Sequence, residues 1–394
     1  MGPDAPEPVF VQKGEGAWLV TDDGKRLLDF ANGATVPLGY TFGAKAGDSP
    51  PERAARGTVP VFASVHTPGA DGVLWRTEVE LMHKMAELVP GGMNRRVLVC
   101  ESGREALARA IELARNETNR TNVTYLSSCS DEKPAVGNVV AAVVAHPLDG
   151  RIKYARQACD AAGALLIDDE AGIGPGATGR MLAVEPAAEF LPQRHKDTKS
   201  QSGPETSACD VRPDIYVLGR GWATGFPFGA CVTRSSTLRW NCATAGNPIG
   251  CALALETIRL LETGLLDQGR KLATYLEKRF GSLASPRLEP ELWGVGLVRT
   301  IVLRKGKDVA EGLVRKCREL GLLLQALSAD TIAVRPPLVA NEKDIDFAAE
   351  VVGKVLGEFD KGAGGRLRES RHSGSGHDPK SPEDFGHVPG TPKA

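Results

Sequence analysis

The chain has 394 residues, with 42% hydrophobic and 25% charged residues, so it is long enough for two domains around a large core. A net charge of -1 gives no electrostatic case for nucleic acid or an acidic membrane surface, and no apolar run approaches the roughly 18 residues of a membrane span. The eight cysteines are scattered without a CxxC pair, which argues against a zinc site or a disulfide framework. Together with an N-terminal stretch lacking an apolar signal core, this points to a reducing cytoplasm.

In chain order, Val9 to Phe30 reads as a β-hairpin, with Asp23-Gly24 between alternating apolar runs. Ala44 to Pro60 reads as a polar loop. Leu74 to Val89 places Leu81, Met85 and Leu88 on one helical face, and Pro90-Gly91-Gly92 stops the helix. Arg96 to Cys100 is a strand, and Glu101-Ser102-Gly103-Arg104-Glu105-Ala106 opens a helix running through Arg115. A Ser-Gly turn at a helix start aims free amides at whatever lies above it, which suits a phosphate, and Arg104 can pair with one directly. Ser102 acting simply as a helix cap is the other reading.

Asn116 to Gly137 is polar. Val139 to Ala145 is a strand followed by His146-Pro147, where a lone histidine is expected to be structural. A helix over 151–162 and a strand over 164–167 complete a β-α-β unit and predict a parallel sheet. Asp168-Asp169-Glu170 follows; at a strand end, one of two adjacent acids should face a site and the other away. Gly174-Pro175-Gly176-Ala177-Thr178-Gly179 fits G-x-G-x-x-G, but three acids separate it from the strand and Pro175 disfavours the turn of a nicotinamide site.

Residues 187–212 form a polar insertion. Asp214 to Leu218 is the next strand, with Arg220 just past its end. Helices are predicted over 250–263 and 265–279, a strand over 295–303, a helix over 309–320, strands over 322–324 and 331–334, and a closing helix over 344–359. From Lys361 onward the chain is Gly, Ser, Pro and charge without periodicity, a tail without a core. Its histidines are too loosely spaced for a metal site.

Several of these stretches resemble the class III aminotransferases, pyridoxal-phosphate enzymes of fold type I. Asp169-Glu170 with Gly174, Gly176 and Gly179 matches the family's Asp-Glu-glycine turn. Leu218-Gly219-Arg220-Gly221 with Pro227-Phe228-Gly229-Ala230 matches the segment carrying the cofactor-binding lysine, except that Arg220 stands at the lysine position. Ser102, Gly103, Glu105 and Ala106 match the family's phosphate turn, with Arg104 replacing a hydroxyl residue. The resemblance implies an α/β fold: a large domain with a mostly parallel central sheet (61–268) and a smaller α+β domain (269–360) joined by an N-terminal hairpin segment (1–60). Residues 361–394 are left as a disordered tail. It implies that Ser102, Gly103 and Arg104 hold the cofactor phosphate and that Asp169 meets the pyridine nitrogen, with Arg220 as a fixed cation.

Asn241 to Ile249 is similar to the family's Thr-x-Gly-Gly-Asn-Pro, whose threonine reaches the phosphate in the other subunit. Thr244 lies one residue off the strict position. Arg335-Pro336-Pro337-Leu338 is similar to the Arg-x-x-Pro-Pro-Leu whose arginine takes a substrate carboxylate. The strict position here is Ala333, so Arg335 is expected to point elsewhere. Also missing are the aromatic-His-Gly segment, the Gln three residues after the Asp (Gly172 here) and the Arg eight after it (Ala177 here).

Transamination uses a lysine amine both to attach the cofactor and to move a proton. A guanidinium whose pKa exceeds about 12 does neither at neutral pH. The expectation is therefore a scaffold that no longer transaminates and binds pyridoxal phosphate, if at all, non-covalently, as a homodimer or as the partner of an active paralogue. The alternatives are an aminotransferase that recruits another amine and a nicotinamide oxidoreductase.

Overall fold

The computed structural model describes residues 10–33, 37–39, 76–89, 95–126, 136–184, 211–233, 246–306 and 308–361. The loop over 44–60, Thr244, nearly all of the 187–212 insertion and the tail beyond Lys361 lie outside the described residues.

A six-stranded sheet organises the molecule. It contains β4 (Arg96–Cys100), β5 (Asn122–Tyr125), β6 (Val140–Ala145), β7 (Leu165–Glu170), β8 (Ile215–Leu218) and β9 (Gly229–Thr233). The order is β4-β9-β8-β7-β6-β5. The pairs among β5, β6, β7 and β8 are parallel, whereas β9 runs antiparallel to both β8 and β4. The residues of β6, β8 and β9 are all buried, as strands covered on both faces must be. That is why they read as unbroken apolar runs rather than as alternation.

Helices cover both faces. On one face α2 (Gly103–Thr118) packs on Leu98, Ile167, Val217 and Cys231. On the other, α3 (Ile152–Ala162) covers Val143 and Leu166, and α1 (Arg76–Leu88) with α4 (Pro248–Leu260) covers Val99, Tyr216 and Val232. The split follows the period of two along each strand.

The N-terminal strands β1 (Val11–Glu15), β2 (Trp18–Thr21) and β3 (Arg26–Asp29) form the expected hairpin meander. Near the far end of the chain, β10 (Pro290–Val295), β11 (Val298–Leu303), β13 (Gln325–Ser328) and β14 (Thr331–Val334) build an antiparallel sheet in the order β10-β11-β14-β13. The short β12 (Leu322–Leu323) pairs in parallel with β3, so the first and last parts of the chain share a sheet. Helices α5 (Leu266–Gly281), α6 (Ala310–Glu319) and α7 (Glu342–Asp360) pack beside these strands. Asn341 starts α7 with a reciprocal capping box to Asp344, whose carboxylate also accepts from Trp18 Nε1 at 2.8 Å.

Two sequence expectations are corrected and a third is made specific. The strand over 164–167 runs on to Glu170, so the three acids belong to β7. The strand over 295–303 is two strands joined by a turn at Gly296-Leu297. The helices over 250–263 and 265–279 are separated by a kink where Gly264 takes φ 123°, a value open to glycine.

Candidate functional site

The strand register brings the candidate residues to one sheet edge. Cys100 pairs with Gly229, Leu218 with Ala230 and with Glu170, and Ala145 with Asp168. The residues that follow these strand ends are therefore neighbours: Ser102-Gly103, His146, Ala171 and Gly219-Arg220. This is the carboxyl edge of the parallel strands, where open α/β sheets place their ligands.

Glycine permits the close approach. A Cβ on Gly219 would lie 2.2 Å from the Ala171 carbonyl oxygen, and one on Gly229 2.2 Å from that of Ser102. A Cβ on Gly103 would lie 2.6 Å from the Ala171 Cβ and 3.3 Å from the Gly219 Cα. The turns after β4, β7 and β8 thus touch backbone to backbone.

At the start of α2, Ser102 Oγ accepts from the Glu105 amide at 3.2 Å, so the serine does cap its helix. Glu105 Oε2 accepts from the Glu101 amide at 3.1 Å. Ser102 and Arg104 are exposed, and this helix start is open to solvent.

The three acids divide by face. Asp168 and Glu170 point away from α2 and are buried. Glu170 Oε1 accepts the Val184 amide at 2.9 Å. Burial, reinforced by the Glu170 carboxylate, pushes the Asp168 pKa well above the carboxylate range. Asp169 lies on the α2 side, half-buried, and its Oδ1 accepts the Ala171 amide at 3.1 Å. Burial raises its pKa; that amide and the His146 charge oppose the rise.

His146 closes its own turn, Nδ1 accepting from the Leu148 amide at 3.3 Å. Burial against protein lowers its pKa, Asp169 and Asp149 oppose this, and Arg335 adds to it. The ring is at the exposed rim, so solvent screens these effects. Arg335 therefore lies within electrostatic reach of His146. Its backbone amide donates to the Phe30 carbonyl at 2.7 Å, and its Nε is buried without a hydrogen-bond partner among the described residues. Burial lowers its pKa.

Arg220 opens a 3-10 turn over Arg220–Ala223 directly after β8. Its side chain is exposed and makes no hydrogen bond or ion pair among the described residues. Among the described residues, the charge acting on Asp169 is that of His146.

The geometry has counterparts. The family described as Aminotransferase class-III matches residues 204–356. The acetylornithine aminotransferase of Archaeoglobus fulgidus is 27% identical over 403 residues, covering 88% of this chain and 95% of that protein. A transaminase structure from the marine bacterium Virgibacillus superposes with a TM-score of 0.73 at 18% identity, covering 92% of this chain and 97% of that one. The aminotransferase from Vibrio fluvialis in its PMP-bound form gives 0.72 at 19%, covering 89% and 92%.

This chain is class III aminotransferase-like. Its fold is type I: α/β, with a mixed and largely parallel central sheet. In this aminotransferase-like chain the 174–179 turn does not begin a helix within residues 171–184, against the dinucleotide reading. Instead the Ala177 carbonyl accepts the Leu297 amide at 2.8 Å, docking the turn onto the β10–β11 hairpin. No helix among the described residues is long and apolar enough to cross a membrane.

Proposed function

We propose that this aminotransferase-like chain no longer transaminates and keeps the edge site as a non-covalent binding site for pyridoxal phosphate or a related anion, serving as a binding or regulatory subunit. The observation that carries the reading is the turn after β8: an exposed Arg220 at the position the resemblance gives to the lysine, with no lysine among the described residues acting on Asp169.

The residues present suit the two ends of such a cofactor. The open start of α2 offers amides for a phosphate, with Ser102, Gly103 and Arg104 around it. Asp169, on the same face and raised by burial, would gain from a cationic ring nitrogen. The relative in its PMP-bound form favours a pyridoxal-type occupant. When bound, the cofactor supplies an electron-accepting ring. Arg220 and Arg335 hold charge permanently, so they can orient carboxylate or phosphate groups but cannot carry a proton from one carbon to another.

Incubation with pyridoxal phosphate, borohydride reduction and peptide mapping tests the proposal. The native chain should release the cofactor on gel filtration and show no fixed pyridoxyl adduct, whereas Arg220→Lys should retain one at position 220. A pyridoxyl-lysine at a unique site in the native chain would favour the second reading, an active aminotransferase using another amine.

A further inference from the structure

We infer that the junction between the 174–180 turn, α5 and the β10–β11 hairpin is a second anion site, which takes a small molecule carrying a carboxylate or a phosphate. A cavity of about 350 Å³ opens there, lined by Thr178, Arg180, Arg270, Thr274, Glu277 and Arg299 among others. That volume lies within the range of small-molecule pockets. None of Ser102, Gly103, Arg104, Asp169 or Arg220 lines it, so it does not depend on the edge site.

The charges on its walls leave one guanidinium over. The Arg299 side chain is buried and its donors are committed: Nε to the Gly296 carbonyl at 2.9 Å, Nη1 to that of Gly294 at 2.8 Å, and Nη2 to Glu277 at 2.9 Å. Arg270 gives Nε to the Gly179 carbonyl and Nη1 to Asp267, both at 2.8 Å. Each of these cations therefore has its acid. Arg180 is half-buried and makes no side-chain hydrogen bond or ion pair among the described residues. Beside it, Thr178 Oγ1 is buried without a partner. A half-buried guanidinium that lines a cavity can take an anion there, and its planar fork fits a carboxylate or phosphate in bidentate fashion.

The walls are preformed. A Cβ on Gly296 would lie 2.5 Å from the Thr178 carbonyl carbon, and Gly179 holds φ 83° against Arg270. The turn descends from the large sheet, and the hairpin belongs to the small one. An anion on Arg180 therefore sits where the two meet.

Titration calorimetry of the full chain with inorganic phosphate, and separately with acetate, tests the inference. Saturable binding of at least one anion is expected, weakened at least tenfold both by Arg180→Gln and by the cavity-filling Ala183→Leu. Tighter binding of phosphate identifies a phosphoryl ligand; tighter binding of acetate identifies a carboxylate. Arg180→Gln removes no side-chain bond among the described residues and should melt at the native temperature; if it does not fold, Ala183→Leu reads the same site. No saturable binding by the native chain, unchanged affinity in the folded variants, or loss with Arg220→Gln alone would overturn it.

Discussion

Asp168 shows what one side chain on the wrong face of a strand does. Its carboxyl is buried beside Glu170, and neither oxygen has a hydrogen-bond partner among the described residues apart from that neighbouring acid. Burial first, and then the neighbour, favour its protonated form. The folded state therefore holds a proton more tightly than the unfolded chain. Stability from this group is full below the unfolded carboxyl pKa and declines as pH rises toward the raised folded value. Asp168→Asn keeps the shape and removes the charge. It should raise the melting temperature at pH 8, because the amide has no proton to lose, with the gain shrinking toward pH 4. Melting curves of both proteins across that range check it; a pH-independent difference would contradict the assignment.

At the scale of elements, the site is a meeting of three turns held at van der Waals distance by glycine. Gly219→Ala would drive a methyl into the Ala171 carbonyl, a backbone atom with nowhere to move. The change should cost at least about 1–3 kcal/mol, as overpacking does. It should also weaken pyridoxal phosphate binding, because the β7 and β8 ends separate. Gly172→Ala is the control: an added Cβ there meets nothing within 4 Å, and its melting temperature should hold. Equal melting of both variants would show that the contact is not needed. The elements themselves were largely legible. β6 and β8 announced themselves as apolar runs, and α1 and α6 by spacing. Strand ends were less so, because the acids of β7 look like a loop until they are seen to accept the Ala171 and Val184 amides.

For the whole molecule, the reading as a binding or regulatory subunit is a proposal about partnership. In the family that the chain resembles, two subunits build each site, and Thr244 would be the residue offered across. Sedimentation of the purified chain should give a dimer, or pull-down from the native cell should recover an aminotransferase paralogue. A chain that sediments as a monomer and captures none would refute the subunit role while leaving the fold untouched.

The residue pattern alone showed the β-α-β alternation, and its resemblance to the class III aminotransferases implied the fold class and singled out Ser102, Asp169 and Arg220, an arginine where the resemblance expects a lysine. These rest on local periodicity and on residue identity, which short stretches carry in full. Only the tertiary structure decided that Arg335 reaches the electrostatic neighbourhood of His146, that Asp168 turns inward while Asp169 faces α2, and that Arg180 is left over in a cavity. Each of those depends on which distant segments lie side by side. That is set by strand register and by packing between parts of the chain far apart in sequence, a quantity no short window of sequence contains.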